Sequence, residues 1–176
     1  MWEYTKYYLA ALTQLIAMVG LYLGGDYVWV GLALFPVLAI IDTLLPMDLR
    51  TRQMTNKAAA FVPVWLSTLF GPLLMLVLAW AVGTHDLNAW QLLGAVLSCA
   101  WLSVVPLVPA AHELYHARGR IGRTVGRYAQ VCYLDATRME AHVVSHHRDV
   151  GTDDDSDTAA RGQTLYSFAP KAVWES

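Results

Sequence analysis

Apolar residues in this chain come in four long runs separated by short polar breaks, and the lengths of the runs decide what they are. Crossing the hydrocarbon core of a bilayer takes about 20 mostly apolar residues as helix, because there every backbone N–H and C=O must be bonded within the segment. Residues 7–23, 27–45, 61–82 and 92–111 meet that demand. Only Gly24-Gly25-Asp26 parts the first two, so they form a tight antiparallel hairpin, and a second hairpin turns at Thr84-His85-Asp86-Leu87-Asn88. Tyr7, Tyr8, Tyr27, Trp29, Trp65, Trp80 and Trp90 gather mostly near run ends, where amphipathic rings favour the headgroup layer. Pro36, Pro63, Pro72, Pro106 and Pro109 would break soluble helices but are tolerated in packed membrane ones. The opening Trp2-Glu3-Tyr4 is not the positively charged start of a cleaved signal peptide.

Lysine and arginine set the expected orientation, since they accumulate in cytoplasmic loops. Lys6 precedes the first run, Arg50, Arg52 and Lys57 lie between the second and third, and the remaining eight, from Arg118 to Lys171, follow the fourth. The two short turns hold none. All 12 basic residues therefore fall on one side, which predicts a cytoplasmic N-terminus and a cytoplasmic tail, in a bacterial inner (plasma) membrane. Thr13, Gln14 and Asp42 are the polar residues inside runs, and Asp42, one turn before Leu45-Pro46, is expected to reach interfacial water.

Composition supports the membrane reading and then divides it. The 176 residues are 56% hydrophobic and 15% charged, with a mean hydropathy of +0.39. A net charge of −2 and a pI near 6.3 exclude a nucleic-acid binder. Residues 1–111 hold 4 Lys/Arg and 5 Asp/Glu, about 8%, whereas residues 112–176 hold 8 and 9, about 26%. The expected fold is all-α: a multi-pass region over 1–111, with four spans in two hairpins, and a cytoplasmic, helical, metal-binding segment over 112–176. Cys99 and Cys132 form neither a CxxC pair nor a disulfide framework.

Five of the six histidines fall in that polar segment, as His112-Glu113-Leu114-Tyr115-His116 and His142-Val143-Val144-Ser145-His146-His147. On an α-helix, residues four apart share one face about 5–6 Å apart. His112 with His116, and His142 with His146, are thus each spaced to grip one metal ion. His147 is offset by one position, placed to reach a neighbouring ion or the far side of the same one. Imidazole suits zinc, copper, iron and nickel. The first motif is also a literal HExxH, in which Glu113 would be general base at a single zinc of a membrane protease. A catalytic zinc keeps three protein ligands and an open position; five imidazoles exceed that, and fit two metals with open positions for oxygen chemistry. Glu113 then has a second reading, as a carboxylate accepting the free ring N–H of a ligand histidine. Asp135 and Glu140 lie near enough in sequence to support or ligate. His85, alone in a turn, reads as an ordinary surface histidine.

Between the motifs, Arg118, Arg120, Arg123, Arg127 and Arg138 alternate with Ile121, Val125, Tyr128, Val131 and Tyr133. This reads as an interfacial helix on lipid phosphates, and also as a positive surface that could steer an acidic electron carrier. The acidic run Thr152 to Asp157 lacks the glycine turn and terminal glutamate of an EF-hand and reads as a solvated loop.

The motifs HELYH and HVVSHH resemble the first two histidine motifs of the membrane non-haem di-iron hydroxylases, the alkane monooxygenase and fatty-acid desaturase superfamily. Asp155-Ser156-Asp157-Thr158, the stretch Arg161 to Phe168, and Asp42 to Asp48 add a resemblance to its xylene-monooxygenase branch. The resemblance implies that His112, His116, His142, His146 and His147 ligate two ferrous ions that activate O2. It further implies hydroxylation of a methyl group on an apolar hydrocarbon such as xylene, toluene or p-cymene. Electrons would come from NADH through a ferredoxin-reductase-like or rubredoxin-like donor. Alkane ω-hydroxylation and fatty-acid desaturation are the neighbouring alternatives. The family carries two further histidine motifs and more membrane helices, whereas no histidine follows His147. The chain is therefore expected to be an N-terminal portion that does not turn over substrate by itself, with further paired histidines downstream.

Overall fold

A computed structural model describes residues 2–47, 49, 55–135, 137–152, 154–155 and 157–175. The structure is 80% helical and has no strand among the described residues. Its helices are α1 (Trp2–Thr5), α2 (Leu9–Leu23), α3 (Val30–Leu44), α4 (Lys57–Thr84), α5 (Ala89–Leu102), α6 (Val108–Tyr115), α7 (Arg120–Val131), α8 (Arg138–Glu140), α9 (His147–Asp149) and α10 (Leu165–Glu175). Short 3-10 segments, Lys6–Tyr8 and Gly25–Trp29, lead into α2 and α3. Two π-helical segments, Ser103–Leu107 and Ala141–His146, join α5 to α6 and α8 to α9.

Four helical rods are long and apolar enough to cross a membrane: Lys6–Leu23, Gly25–Leu44, Lys57–Thr84 and Ala89–Tyr115. The chain is an all-α membrane protein with the four predicted spans. Arg50 and Arg52, which carry part of the orientation argument, lie outside the described residues, as do Asp48, Asp153 and Ser156. Asp42 lies exposed in the last turn of α3.

Both hairpins turn at the same end. Gly24 adopts φ +68°, and a Cβ there would stand 2.9 Å from the His85 ring. His85 Nε2 bonds the Tyr22 carbonyl at 3.1 Å, and Gln91 Nε2 donates to Asp26 Oδ1 at 3.2 Å, so the two turns are tied together. Asn88 and Gln91 form a reciprocal capping box at the start of α5.

Inside the bundle, small and polar side chains join the rods, as expected where lipid removes the hydrophobic drive for helix association. Ser98 Oγ donates to Val28 O at 2.7 Å and accepts from Leu32 N at 2.9 Å, while Trp101 Nε1 donates to Gly31 O at 2.7 Å. Gln14 is fully buried and gives its Nε2 to Ser67 O at 3.0 Å. The core gathers Met18, Leu21, Val28, Leu74, Ala95, Cys99 and Leu102.

Two rods overrun the bilayer. The 28-residue α4 is about 42 Å long at about 1.5 Å per residue, against a hydrocarbon core of about 30 Å. Ala89–Tyr115, with 27 residues, is likewise longer than that core is thick, and His112 lies within it while His116 caps its end. α7 packs on α6 and α4 through Gly122, Gly126 and Ala129, and Tyr133 Oη donates to Gly71 O at 2.9 Å. A second core of Leu107, Ala111, Tyr115 and Ala129 holds this hairpin and seats the histidines above it.

Candidate metal centre

The two histidine motifs meet although 30 residues separate His112 from His142. His112 Nε2 stands 2.7 Å from His142 Nε2 and 3.4 Å from His116 Nε2, and His142 Nε2 stands 3.0 Å from His147 Nε2. Donor atoms of His112, His116 and His142 all lie within 4.8 Å of one another, close enough to hold one metal ion.

The donor set fits a metal. Two facing imidazole nitrogens satisfy each other only when one carries hydrogen, and His142 Nε2 faces two others at once. Lone pairs converging on one region want a shared cation. With metal–nitrogen bonds of about 2.1 Å, neighbouring ligand nitrogens stand about 3.0 to 3.4 Å apart, the scale seen here. The uncharged ring is favoured at His142, whose pKa desolvation, then repulsion from His112, His147, His146 and His116, lowers from 6.5 to about 4. An imidazole must be neutral to ligate.

The local geometry of the second motif departs from α-helical spacing. Ala141–His146 is a π-helix, whose wider turn aligns residues five apart. His142 is therefore paired through Nε2 with His147 rather than with His146. The His146 ring stacks beside His142, with centroids 5.0 Å apart, and turns Nδ1 away to Asp155. π-turns of this kind are frequent at functional sites.

Asp155 is the residue that sequence reasoning missed. It accepts from His146 Nδ1 at 2.9 and 3.1 Å, from Asp157 N at 2.9 Å, from Gly151 N at 3.2 Å, and from the Thr158 hydroxyl. Only 2% of Asp155 is exposed, so the acidic run is no solvated loop at this position. The Thr158 hydroxyl, then His146 and the two backbone N–H groups, hold its carboxyl well below the usual carboxylate range. A carboxylate that accepts Nδ1–H leaves Nε2 as the free lone pair, the tautomer a metal requires. A readable signal was present: Asp155 and Thr158 stand three apart, spaced for a side-chain turn, nine residues after His146.

Glu113 acts on the His112 ring through its charge, which raises the pKa of that imidazole against the lowering by burial and by His116. It is exposed, hydrogen-bonds none of the histidines among the described residues, and lines an apolar cavity with Phe61 and Pro109. Asp135 and Glu140 are also directed elsewhere, to Arg138 at 3.0 Å and to Arg127 at 2.8 Å, because neighbouring guanidinium groups are better partners than neutral rings. On α7 the outer face is basic and apolar, with Arg120, Arg123, Ile121 and Tyr128 all exposed. His85 lies with the turns at the opposite end of the bundle.

No protein-family model matches the chain. Among curated proteins it is similar to the xylene/toluene monooxygenase hydroxylase component XylM of Pseudomonas putida, 38% identical over 170 residues, covering 96% of this chain and 46% of that protein. It is also similar to alkane 1-monooxygenase 2 of Pseudomonas aeruginosa, 30% identical over 167 residues, 85% of this chain and 43% of that one. Alkane 1-monooxygenase 1 of Alcanivorax borkumensis is 25% identical over 182 residues, 94% of this chain and 44% of the relative. The chain thus spans a little under half the length of these relatives.

Proposed function

We propose that this homologue of the membrane monooxygenase hydroxylases forms the membrane frame and part of the iron site of a hydroxylase. The enzyme uses O2 to oxidise a methyl group of an apolar hydrocarbon of the xylene, toluene or p-cymene type. The observation that carries this reading is the convergence of imidazole Nε2 atoms from HELYH and HVVSHH in a chain similar over 96% of its length to a xylene/toluene hydroxylase component. The similarity to alkane 1-monooxygenases keeps a linear alkane as the second reading of the substrate.

His112, His116, His142 and His147 would hold iron through Nε2, and His146 would join them through the nitrogen that Asp155 leaves free. Bound iron supplies the activation of O2 and the electron transfer that carbon–hydrogen oxidation needs. The chain's own residues do the positioning: α6 and the π-turn present the two motifs, α7 clamps α6 from behind, and burial favours the uncharged rings of His112 and His142. The second iron and its remaining ligands belong to the whole hydroxylase. The histidine end faces the cytoplasm of the inner membrane, where a ferredoxin-reductase-like or rubredoxin-like donor delivers electrons from NADH. Residues 1–111 form the membrane region and residues 112–176 begin the catalytic one.

The zinc-protease alternative requires Glu113 beside a metal-bound water, whereas Glu113 lines the apolar cavity and the relatives are monooxygenases. Anaerobic Fe(II) titration of the purified chain, with metal analysis and X-ray absorption, tests the assignment. Iron bound by imidazole nitrogen is expected. A single tightly held zinc, or no bound iron, overturns it.

A further inference from the structure

The outer face of α7 is the part of the histidine end that the metal centre leaves unused, and the hairpin with α6 sets its height. A Cβ at Gly122 would meet Ala117 and Leu114, one at Gly126 would meet the Ala111 carbonyl and the Tyr115 ring, and Ala129 shares a core with Leu107. α7 therefore runs antiparallel to α6, back toward the membrane. Ala111 comes 22 residues after Ala89, where the fourth rod begins, so it stands about 33 Å along that rod at about 1.5 Å per residue. A hydrocarbon core of about 30 Å ends just before it, and the headgroup layer takes up about the next 5–7 Å. The turns of α7 that carry Gly122 and Gly126 lie in that layer.

The exposed side of α7 is divided lengthwise. Gly122, Gly126, Ala129 and Gln130 are buried. At about 100° per residue, Arg120, Arg123 and Arg127 fall within about 60° of one another, and Ile121 and Tyr128 lie about 80–100° round from Arg120. All five are exposed, Ile121 by 75% and Tyr128 by 62%. Arg127 is paired with Glu140 at 2.8 Å, whereas Arg120 and Arg123 have no ion-pair partner among the described residues. A charged stripe alone suits water, but two large apolar side chains beside it do not. A lipid surface satisfies both, with phosphate oxygens at the guanidinium groups and the glycerol–acyl boundary against Ile121 and Tyr128. A water-soluble acidic protein would have to reach α7 through the headgroups at this height.

We propose that the outer face of α7 binds an anionic phospholipid, its phosphate held by Arg120 and Arg123 and the upper part of its acyl chain by Ile121 and Tyr128. A zwitterionic headgroup fits less well, because its choline sets a second cation beside the arginines. The inference stands on the four spans and the hairpin of α6 with α7, and not on the hydroxylase reading.

Native mass spectrometry of the whole chain in dodecylmaltoside, titrated with dioleoylphosphatidylglycerol or dioleoylphosphatidylcholine, tests it. A basic side chain at an anionic lipid surface contributes about fivefold, so phosphatidylglycerol is expected to bind about 10- to 25-fold more tightly than phosphatidylcholine. Arg120→Gln with Arg123→Gln is expected to erase that preference, and Arg120→Lys with Arg123→Lys to keep most of it. Tyr128→Ser should weaken both lipids by a similar factor, and Arg161→Gln, at an exposed position outside α7, should leave the preference unchanged. Inorganic phosphate is expected not to compete; displacement of phosphatidylglycerol by it would make this a site for a free anion and overturn the proposal. Equal affinity for the two lipids overturns it as well, as does a preference that survives the double glutamine variant or falls equally in Arg161→Gln. An acidic ferredoxin that binds the chain in phosphatidylcholine nanodiscs through Arg120 and Arg123 would assign the face to a protein instead.

Discussion

His146 gives its Nδ1–H to Asp155 at 2.9 Å, and that one bond joins the second histidine motif to a loop of aspartates nine residues further on. The bond fixes which ring nitrogen carries hydrogen. It also explains why a buried aspartate is stable here: four donors surround the carboxylate.

Asp155→Asn should therefore weaken metal binding without disturbing the spans. Carboxylates that orient a ligand histidine are typically worth about 10- to 100-fold in metal affinity. Fe(II) or Co(II) titration of the purified variant is expected to show a loss in that range, with unchanged helicity by circular dichroism. Glu113→Gln should leave the affinity within about twofold, and a larger loss there would restore Glu113 as the supporting carboxylate.

His142 Nε2 meets His112 at 2.7 Å and His147 at 3.0 Å, so two of the shortest ring contacts in the cluster pass through it. His142→Ala is expected to cost more metal affinity than His116→Ala, whose nearest ring nitrogen is 3.4 Å away. His85→Ala should have no effect on metal. Equal losses for His142→Ala and His116→Ala would contradict the π-turn pairing.

In the metal-free chain His142 should titrate abnormally. His142 is lowered from 6.5 to about 4, first by desolvation and then by its histidine neighbours. As pH falls below about 6.5 the unfolded imidazole takes up a proton that the folded one refuses. The contribution to stability is thus complete above 6.5, declines between 6.5 and 4, and is gone below about 4. A proton NMR titration of the His142 ring should place its midpoint near 4; a midpoint at 6.5 would separate the rings.

Ser98 ties α5 to Leu32 of α3 and to Val28 of the 3-10 segment before it, one hydrogen bond each, inside the bundle. Ser98→Ala should lower stability in denaturing-detergent titrations by about 1 kcal/mol, the scale of polar contacts between membrane helices. Gly31→Leu should lower it further, because a Cβ at Gly31 already stands 2.7 Å from the Ser98 Cβ and 3.0 Å from that of Ala17.

Cys132 is exposed just after α7, while Cys99 is buried in the bundle. A membrane-impermeant maleimide is expected to label Cys132 in inverted inner-membrane vesicles and not in intact spheroplasts. Labelling in spheroplasts alone would invert the proposed orientation.

The four spans were legible in the sequence because the bilayer imposes a length and an apolarity that a single run of residues must meet unaided. The histidine motifs were legible for a similar reason: two imidazoles one turn apart need only local geometry, and HELYH has it at the end of α6. What the run of letters could not state was the pairing of His142 with His147, since that depends on one turn of π-helix, a register set by packing. Nor could it separate Asp155 from Asp154, or show that Glu113 points to a cavity. Each of those depends on which neighbours the folded chain brings to the side chain: Thr158 and His146 bond Asp155, and Glu113 lines a cavity with Phe61. Local periodicity and solvent preference determine the rods and the ligand types, and the tertiary contacts decide which nitrogen faces which.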